Sequence, residues 1–159
     1  MSALTQRVYA LLLLYISLFG AHNICIVTNA KHSWFTQSCR LYNEIYQKIR
    51  CLLRNISVIS AFDLYHSQKH CAFMDLLRNK YGINRVICIG DSEDEYTAID
   101  SVCDCLRTSA NIKRSINYFR FKLLESPSLN AMIKQLTKIE RLDYSLIATQ
   151  SYDQSFTFH

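Results

Sequence analysis

The stretch that decides the fold is residues 85–100, RVICIGDSEDEYTAID. It begins with an apolar run from Val86 to Gly90, which is typical of a short strand buried on both faces of a parallel sheet. Four acids follow within five positions: Asp91, Glu93, Asp94 and Glu95. Carboxylates this close together raise one another's pKa unless a positive group neutralises them. The stretch therefore predicts a buried strand whose carboxyl end carries a loop suited to a cation.

Two earlier runs have the same character as this strand, namely ICIVT at 24–28 and ISVIS at 56–60. Between the runs lie helical patterns. Within residues 32–54, apolar side chains recur every three or four positions: Phe35, Cys39, Tyr42, Ile45, Ile49 and Leu52. Strands that alternate with helices predict βαβ units. We expect an α/β fold with a three-layer, Rossmann-like, mostly parallel sheet flanked by helices, in one domain over residues 1–159.

The later part of the chain is less regular. SINYFRFKL at 115–123 alternates in polarity and predicts a further strand. Ser126 and Pro127 predict the start of a helix whose inward residues are Leu129, Met132, Ile133 and Leu136. The final stretch, YSLIATQSYDQSFTFH, contains strand-like pieces.

Composition restricts the class of protein. The chain has 159 residues, of which 50% are hydrophobic, with only three Gly and one Pro, so it is neither collagen-like nor of low complexity. Its net charge of +5 is a moderate basic excess that can attract phosphates, but it contains no dense Lys/Arg run and no specific nucleic-acid motif. Seven cysteines without a CxxC pair favour a reducing compartment, and hence a cytoplasmic location.

The N-terminal stretch has two interpretations. RVYALLLLYISLFGA, residues 7–21, has one Arg before an apolar run, as a signal peptide does. The run is too short to span a bilayer, which needs about 20 apolar residues, so we expect no membrane span. We interpret it as a buried helix that leads into the first strand, and a signal peptide stays the alternative.

Polar residues follow each predicted strand. The first strand ends at Thr28 and Asn29, the second at Ser60 and Asp63, and the third in the acidic loop. In open α/β sheets, ligands bind beyond the carboxyl ends of the strands. Clustered carboxylates suit Mg²⁺, which prefers oxygen ligands and often brings a phosphate, and a nearby hydroxyl and Lys69 would hold the phosphate oxygens.

The order of these motifs carries a resemblance to a known family. The motifs occur in the order IVTNA before a Trp-containing helix, then VISA, KHCAF and IGDSEDEYTAI. In this order of its motifs, the chain is similar to a eukaryotic branch of the haloacid dehalogenase (HAD) superfamily. FRFKLLESPSLNAMIKQL also resembles the tail of that branch, and the likeness runs from about Val8 to the last residues.

The resemblance implies roles for individual residues. Thr28, together with Asn29, and Lys69 would bind phosphate, and Mg²⁺ would be held at the acidic loop by Asp91 with support from Asp94 or Glu95. The superfamily's nucleophile is an Asp in a DxDx(T/V) motif at an earlier strand end. Residues 1–22 contain no Asp or Glu, so we expect the N-terminal strand and the catalytic residue to be missing, with no catalytic residue assigned in this chain.

Two functions follow as expectations. The first is a HAD-like phosphatase-type domain with a remnant Mg²⁺ and phosphate site, inactive or truncated because the nucleophile is absent; a complete version would be a Mg²⁺-dependent phosphohydrolase acting on a phosphorylated ligand. The alternative is a non-enzymatic α/β interaction module with a basic surface. The acidic loop also has a simpler interpretation, as a helix N-terminus with Asp91 as the N-cap.

Overall fold

The computed structural model of the chain describes residues 3–41, 49–80, 82–109 and 115–158. The chain divides into two compact units, Met1–Ala72 and Phe73–His159. Each unit contains its own parallel sheet. The organisation as one domain over residues 1–159 stays a prediction.

The first unit is built on a pair of parallel strands. Its elements are α1 (Ala3–Phe19), a 3₁₀ turn (Ala21–Asn23), β1 (Cys25–Thr28), α2 (His32–Leu41), β2 (Ser57–Ser60) and α3 (Ala61–Tyr65), and residues 49–53 are also helical. The register aligns Cys25 with Ser57 and Thr28 with Ser60, so both strands end at the same edge. Helix α4 (Lys69–Arg78) contains the boundary between the units.

Helix α1 confirms that the apolar N-terminal stretch is helical. Leu11 and Tyr15 are buried, whereas Leu13, Leu18 and Phe19 are exposed. The expected buried helix therefore buries one stripe of its surface rather than all of it. Among the described residues, no helix combines the length and apolarity that crossing a bilayer requires.

The second unit has a three-stranded parallel sheet. Its elements are β3 (Arg85–Gly90), α5 (Glu93–Thr108), β4 (Asn117–Lys122), α6 (Leu129–Glu140), α7 (Tyr144–Thr149) and β5 (Gln154–Thr157). The strand order is β3-β4-β5, with Gly90 beside Lys122 and Lys122 beside Thr157. Both connections between neighbouring strands are helical, as parallel pairing requires.

The alternation in NYFRFK gives β4 two different faces. Phe119 and Phe121 are fully buried, and the ring of Phe121 lies 5.4 Å from that of Phe156 and 6.5 Å from that of Tyr144 in α7. Tyr118, Arg120 and Lys122 alternate with them and point toward α5, where they meet polar partners. This strand therefore separates an aromatic core from a charged surface.

The fold class is confirmed at the level of an α/β protein with parallel sheets flanked by helices. The strands expected at 24–28, 56–60, 86–90 and within 115–123 are present. The described strands form two sheets, of two and three strands, where we expected one. Membership of the HAD superfamily and the missing N-terminal strand stay predictions.

Local details differ from the sequence analysis around α6. The helix begins at Leu129, capped by Ser128, whose hydroxyl accepts from the amide of Ala131 at 3.2 Å. Ser126, where the sequence predicted the start of this helix, has a φ of 50°, in the left-handed region, and lies two residues before the cap. Leu129 is exposed instead of inward because it lies in the first turn; Leu136 is buried, as expected. Tyr42 and Ile45 of the expected helix over 32–54 lie outside the described residues.

Candidate functional site

The strand ends of the first unit are tied to each other by side chains. Thr28 Oγ1 accepts a hydrogen bond from the amide of Ala30 at 3.1 Å. From the neighbouring strand, Ser60 Oγ donates to the carbonyl of Ala30 at 2.9 Å. Asn29, between Thr28 and Ala30, is exposed. In the loop after β1, both the amide and the carbonyl of Ala30 are thus hydrogen-bonded, and the side chain of Asn29 faces solvent.

Asp63 completes this network at the start of α2. Its Oδ2 accepts from the amide of His32 at 2.7 Å, and its own amide donates to Ser60 Oγ at 3.1 Å. The bond from the His32 amide, and then the Ser60 hydroxyl, lower the pKa of Asp63. A carboxylate at a helix N-terminus satisfies an otherwise unpaired amide and interacts favourably with the helix dipole. The exposed carboxylate of Asp63 is therefore bound to the protein's own backbone at the start of α2.

The residues expected to bind phosphate and metal are divided between the two units. Thr28, Asn29 and Lys69 belong to the first unit, where Lys69 is the first residue of α4. The acidic loop with its three expected metal ligands belongs to the second. Each group is placed at or just beyond a strand or helix end, as expected, but their assembly into one site stays a prediction.

The acidic loop is organised by a serine. Ser92, rather than Asp91, is the N-cap of α5, because its hydroxyl accepts from the amide of Asp94 at 3.2 Å. Glu93, Asp94 and Glu95 then fill the first turn, where the helix dipole favours negative charge. Asp91 and Asp94 are exposed. The simpler interpretation of the loop as a helix N-terminus is confirmed, with a different capping residue.

Two contacts explain how the acidic loop is neutralised and packed. Lys122, at the end of β4, forms an ion pair with Glu93. The carboxylate of Glu95 lies directly against the backbone of Gly90, where an added Cβ would clash with Glu95 Oε2. Gly90 therefore provides the space that Glu95 occupies. Lys122 therefore supplies a positive charge to the acidic loop through its pair with Glu93.

The acids of the loop do not by themselves form a metal centre. Across residues 3–41, 49–80, 82–109 and 115–158, no three His, Cys, Asp or Glu side chains are grouped so that they could hold a metal ion. Magnesium takes oxygen ligands in octahedral geometry, and in proteins one or two carboxylates with several waters and a phosphate commonly supply them. Binding of Mg²⁺ stays a prediction, and no chemistry is derived from it.

Two ion pairs border the charged face of β4, one between β4 and α5 and one between α5 and the segment before β5. Arg120 pairs with Asp100 at 2.6 Å, and Arg107 pairs with Asp153 at 2.6 Å. Partial burial raises the pKa of Asp100, although Arg120 opposes the shift. The hydrogen bond that Arg107 donates to Asp153 raises the pKa of Arg107. These pairs keep the face charged and ordered while leaving about 30% of each side chain accessible.

Tyr96 joins the ends of two strands to helix α5. Its ring is 3% exposed, and its hydroxyl lies within hydrogen-bonding distance of the carbonyls of Gly90 and Phe121, the latter at 2.9 Å. Burial, followed by the charges of Cys88 and Glu95, raises the pKa of this phenol. Tyr96 therefore stays protonated and donates to the strand-end carbonyls.

A cavity of about 410 Å³ opens beside these groups, entirely within the second unit. Its polar lining consists mainly of Glu93, Tyr96, Arg120, Lys122, Ser155 and Thr157. The sequence did not predict this group, because more than a third of the chain's length separates the acidic loop from the last strand. The available signal was the matching alternation of NYFRFK and QSFTF, which places polar residues of both strands on one face.

Comparison with known proteins found no match: no protein-family model, no curated protein and no solved structure is similar to the chain.

Proposed function

We propose that the chain is a HAD-like domain that binds a phosphorylated ligand and does not hydrolyse it through an aspartyl-phosphate. The observation that carries the proposal is the division of charge between the two units. Residues 1–72 contain seven Lys and Arg against two acids, a net charge of +5, whereas residues 73–159 contain 11 of each. The whole basic excess therefore belongs to the unit that contains Thr28, Asn29 and Lys69, and it attracts anionic ligands.

The side chains at the carboxyl edge of this unit suit phosphate oxygens. The hydroxyl of Thr28 uses its oxygen as an acceptor for the amide of Ala30, which leaves its proton as the donor for a ligand. The side-chain amide of Asn29 is exposed and supplies further donors. Lys69 adds a cation at the first position of α4. Hydroxyl and amide donors together with a cation are the groups that phosphate recognition uses.

The proposal that hydrolysis does not occur rests on Asp63. The only acids in residues 1–72 are Glu44 and Asp63, and Glu44 lies outside the described residues. The carboxylate of Asp63 is bound to the amide of His32 at 2.7 Å, and that bond lowers its pKa. A nucleophile must be free to approach phosphorus, and a carboxylate that holds a helix N-terminus loses that contact if it attacks. Asp63 therefore stabilises the loop and does not act as a nucleophile.

The test is phosphate binding and turnover by the same preparations. Isothermal titration with inorganic phosphate, with and without Mg²⁺, is made on wild type, Thr28→Val and Lys69→Met. Lys134→Met, at an exposed position of α6, removes the same charge outside the first unit and is the control. We expect Thr28→Val and Lys69→Met to weaken binding about tenfold, as loss of a hydrogen bond to a charged group does, and Lys134→Met to leave it unchanged.

Turnover of p-nitrophenyl phosphate in the presence of Mg²⁺ decides the catalytic part. We expect no turnover above that of a Thr28→Val preparation. Turnover that Asp63→Asn abolishes would contradict the structural role of Asp63 and would make the chain a phosphohydrolase.

A second function, the non-enzymatic interaction module, is favoured by exposed apolar side chains in the first unit. Trp34, Phe62 and Leu64 are 61%, 44% and 64% exposed, and Lys31 lies over the ring of Phe62 at 5.3 Å. Aromatic side chains are enriched at protein interfaces. If wild type and all three variants fail to bind phosphate, this function becomes the preferred one.

A further inference from the structure

The cavity of the second unit is lined by a regular array of donors from two neighbouring strands. Arg120 and Lys122 lie two residues apart on β4, and the register places Ser155 beside Arg120 and Thr157 beside Lys122. Neighbouring strands lie about 4.8 Å apart, and residues i and i+2 of a strand about 6.7 Å apart. Two cations and two hydroxyls therefore surround an area the size of one oxyanion group.

The two cations differ in how firmly they are held by their partners. Arg120 pairs with Asp100, and the two side chains are 28% and 29% exposed. Lys122 pairs with Glu93, whose side chain is 72% exposed in the first turn of α5. An exposed carboxylate contributes little to an ion pair, since water and salt compete for it, whereas a half-buried pair is screened less. A ligand anion can therefore replace Glu93 at Lys122, whereas Asp100 stays paired with Arg120.

The rest of the cavity suits a molecule larger than the anionic group itself. Its volume of about 410 Å³ is in the range of small-molecule sites. Leu123 and Leu124, which follow β4, contribute apolar surface to the lining. The cavity thus combines a binding position for one anionic group with an apolar surface that can contact the hydrocarbon part of a ligand.

We propose that this cavity binds a small organic anion, whose phosphate or carboxylate group replaces Glu93 at Lys122 and accepts hydrogen bonds from Ser155 and Thr157. The site belongs to the second unit alone and requires neither Thr28 nor Lys69, so it goes beyond the phosphate site proposed for the first unit. Binding exchanges one carboxylate for the ligand anion, and Glu93 turns to solvent. No covalent step is involved.

The experiment measures affinity for defined anions in EDTA, so that no metal contributes. The full chain is titrated calorimetrically with inorganic phosphate, glycerol phosphate and succinate at constant ionic strength. The variants are Glu93→Gln, Lys122→Met and Thr157→Val, and circular dichroism checks that each one is folded. Glu125→Gln is the matched control, because Glu125 also lines the cavity and loses the same charge without removing the partner of Lys122.

The sign of the Glu93→Gln effect is the decisive result. Because Glu93 competes with the ligand for Lys122, we expect its removal to tighten binding about two- to fivefold, the strength of an exposed ion pair. Lys122→Met should weaken binding about tenfold or more, and Thr157→Val less. Glu125→Gln should change affinity less than Glu93→Gln does.

The two anion classes are separated by the ligand series. Tighter binding of glycerol phosphate than of succinate assigns the site to phosphate esters, and the reverse order assigns it to organic carboxylates. Several results would overturn the proposal: no binding of any of the three anions, weaker binding by Glu93→Gln, or equal tightening by Glu93→Gln and Glu125→Gln. Phosphate binding that Thr28→Val abolishes and Lys122→Met leaves unchanged would place the anion in the first unit and would also overturn it.

Discussion

The carboxyl ends of the strands differ between the two units. In the first unit, Ser60 donates to the carbonyl of Ala30 and Asp63 accepts from the amide of His32, so the protein's own side chains bind the loop. In the second unit, Arg120 and Lys122 face a cavity of about 410 Å³ and are neutralised by carboxylates of unequal exposure. Polar residues after a parallel strand thus have two outcomes, an internally bonded turn or an open site, and sequence position alone does not separate them.

The largest expected effect concerns the aromatic core behind the open site. Phe121→Ala removes a fully buried ring that packs against Phe156 and Tyr144, and it should lower the free energy of unfolding by about 3–5 kcal/mol. Urea unfolding followed by circular dichroism measures it. Phe62→Ala, at a 44% exposed ring in the first unit, is the control and should cost much less. Equal losses for the two variants would contradict the burial of Phe121 in the core of the second unit.

The internally bonded turn should also be sensitive to a single hydroxyl. Ser60→Ala removes the bond to the Ala30 carbonyl and the cap of α3, and it should cost about 0.5–2 kcal/mol. Ser57→Ala makes the same substitution at the exposed start of β2 and should stay within about 0.5 kcal/mol. Thermal unfolding of both variants in parallel is the measurement. A loss for Ser57→Ala as large as that for Ser60→Ala would contradict the network.

The carboxylate of Asp63 should make the first unit sensitive to acid. Its folded-state pKa lies below the ordinary value of 3.8, so its contribution to stability is present above that value and is lost as the pH falls through the folded-state pKa. Asp63→Asn should be less stable than wild type at neutral pH, and the difference should shrink toward low pH. Chemical unfolding across the acid range shows this, with Asp75→Asn at an exposed position of α4 as the control. A difference that grows toward low pH would contradict the sign.

The smallest effect is expected for a serine of the open site. Ser155 is exposed on β5, so Ser155→Ala should change the free energy of unfolding by less than about 0.5 kcal/mol. Comparing the stability losses of Ser155→Ala and Ser60→Ala distinguishes a hydroxyl that faces a cavity from one that stabilises the fold. Thermal unfolding without ligand is sufficient. A large loss would show that Ser155 belongs to the framework of the second unit.

The strands were predictable because each is a short run of apolar or alternating residues. The simpler interpretation of the acidic loop named Asp91 as the N-cap of α5, whereas the N-cap is Ser92; either side chain can cap a helix, and only the backbone geometry selects one. The division into two sheets was not predictable, because strand pairing is a long-range property. The charged side of β4 was visible as Arg120 and Lys122, but its partners come from α5 and from β5, which no local pattern connects.

Asp153, just before β5, has a consequence for the cavity at the other end of that strand. Its Oδ1 accepts from the amide of Tyr118 at 2.9 Å and from Arg107, which ties the strand to a single position along β4. A slip by one residue would exchange the two faces of β5 and would turn Phe156 toward the cavity in place of Thr157. The carboxylate of Asp153, at the amino end of β5, thus fixes the strand register that determines whether the cavity at the carboxyl end is lined by polar or by apolar side chains.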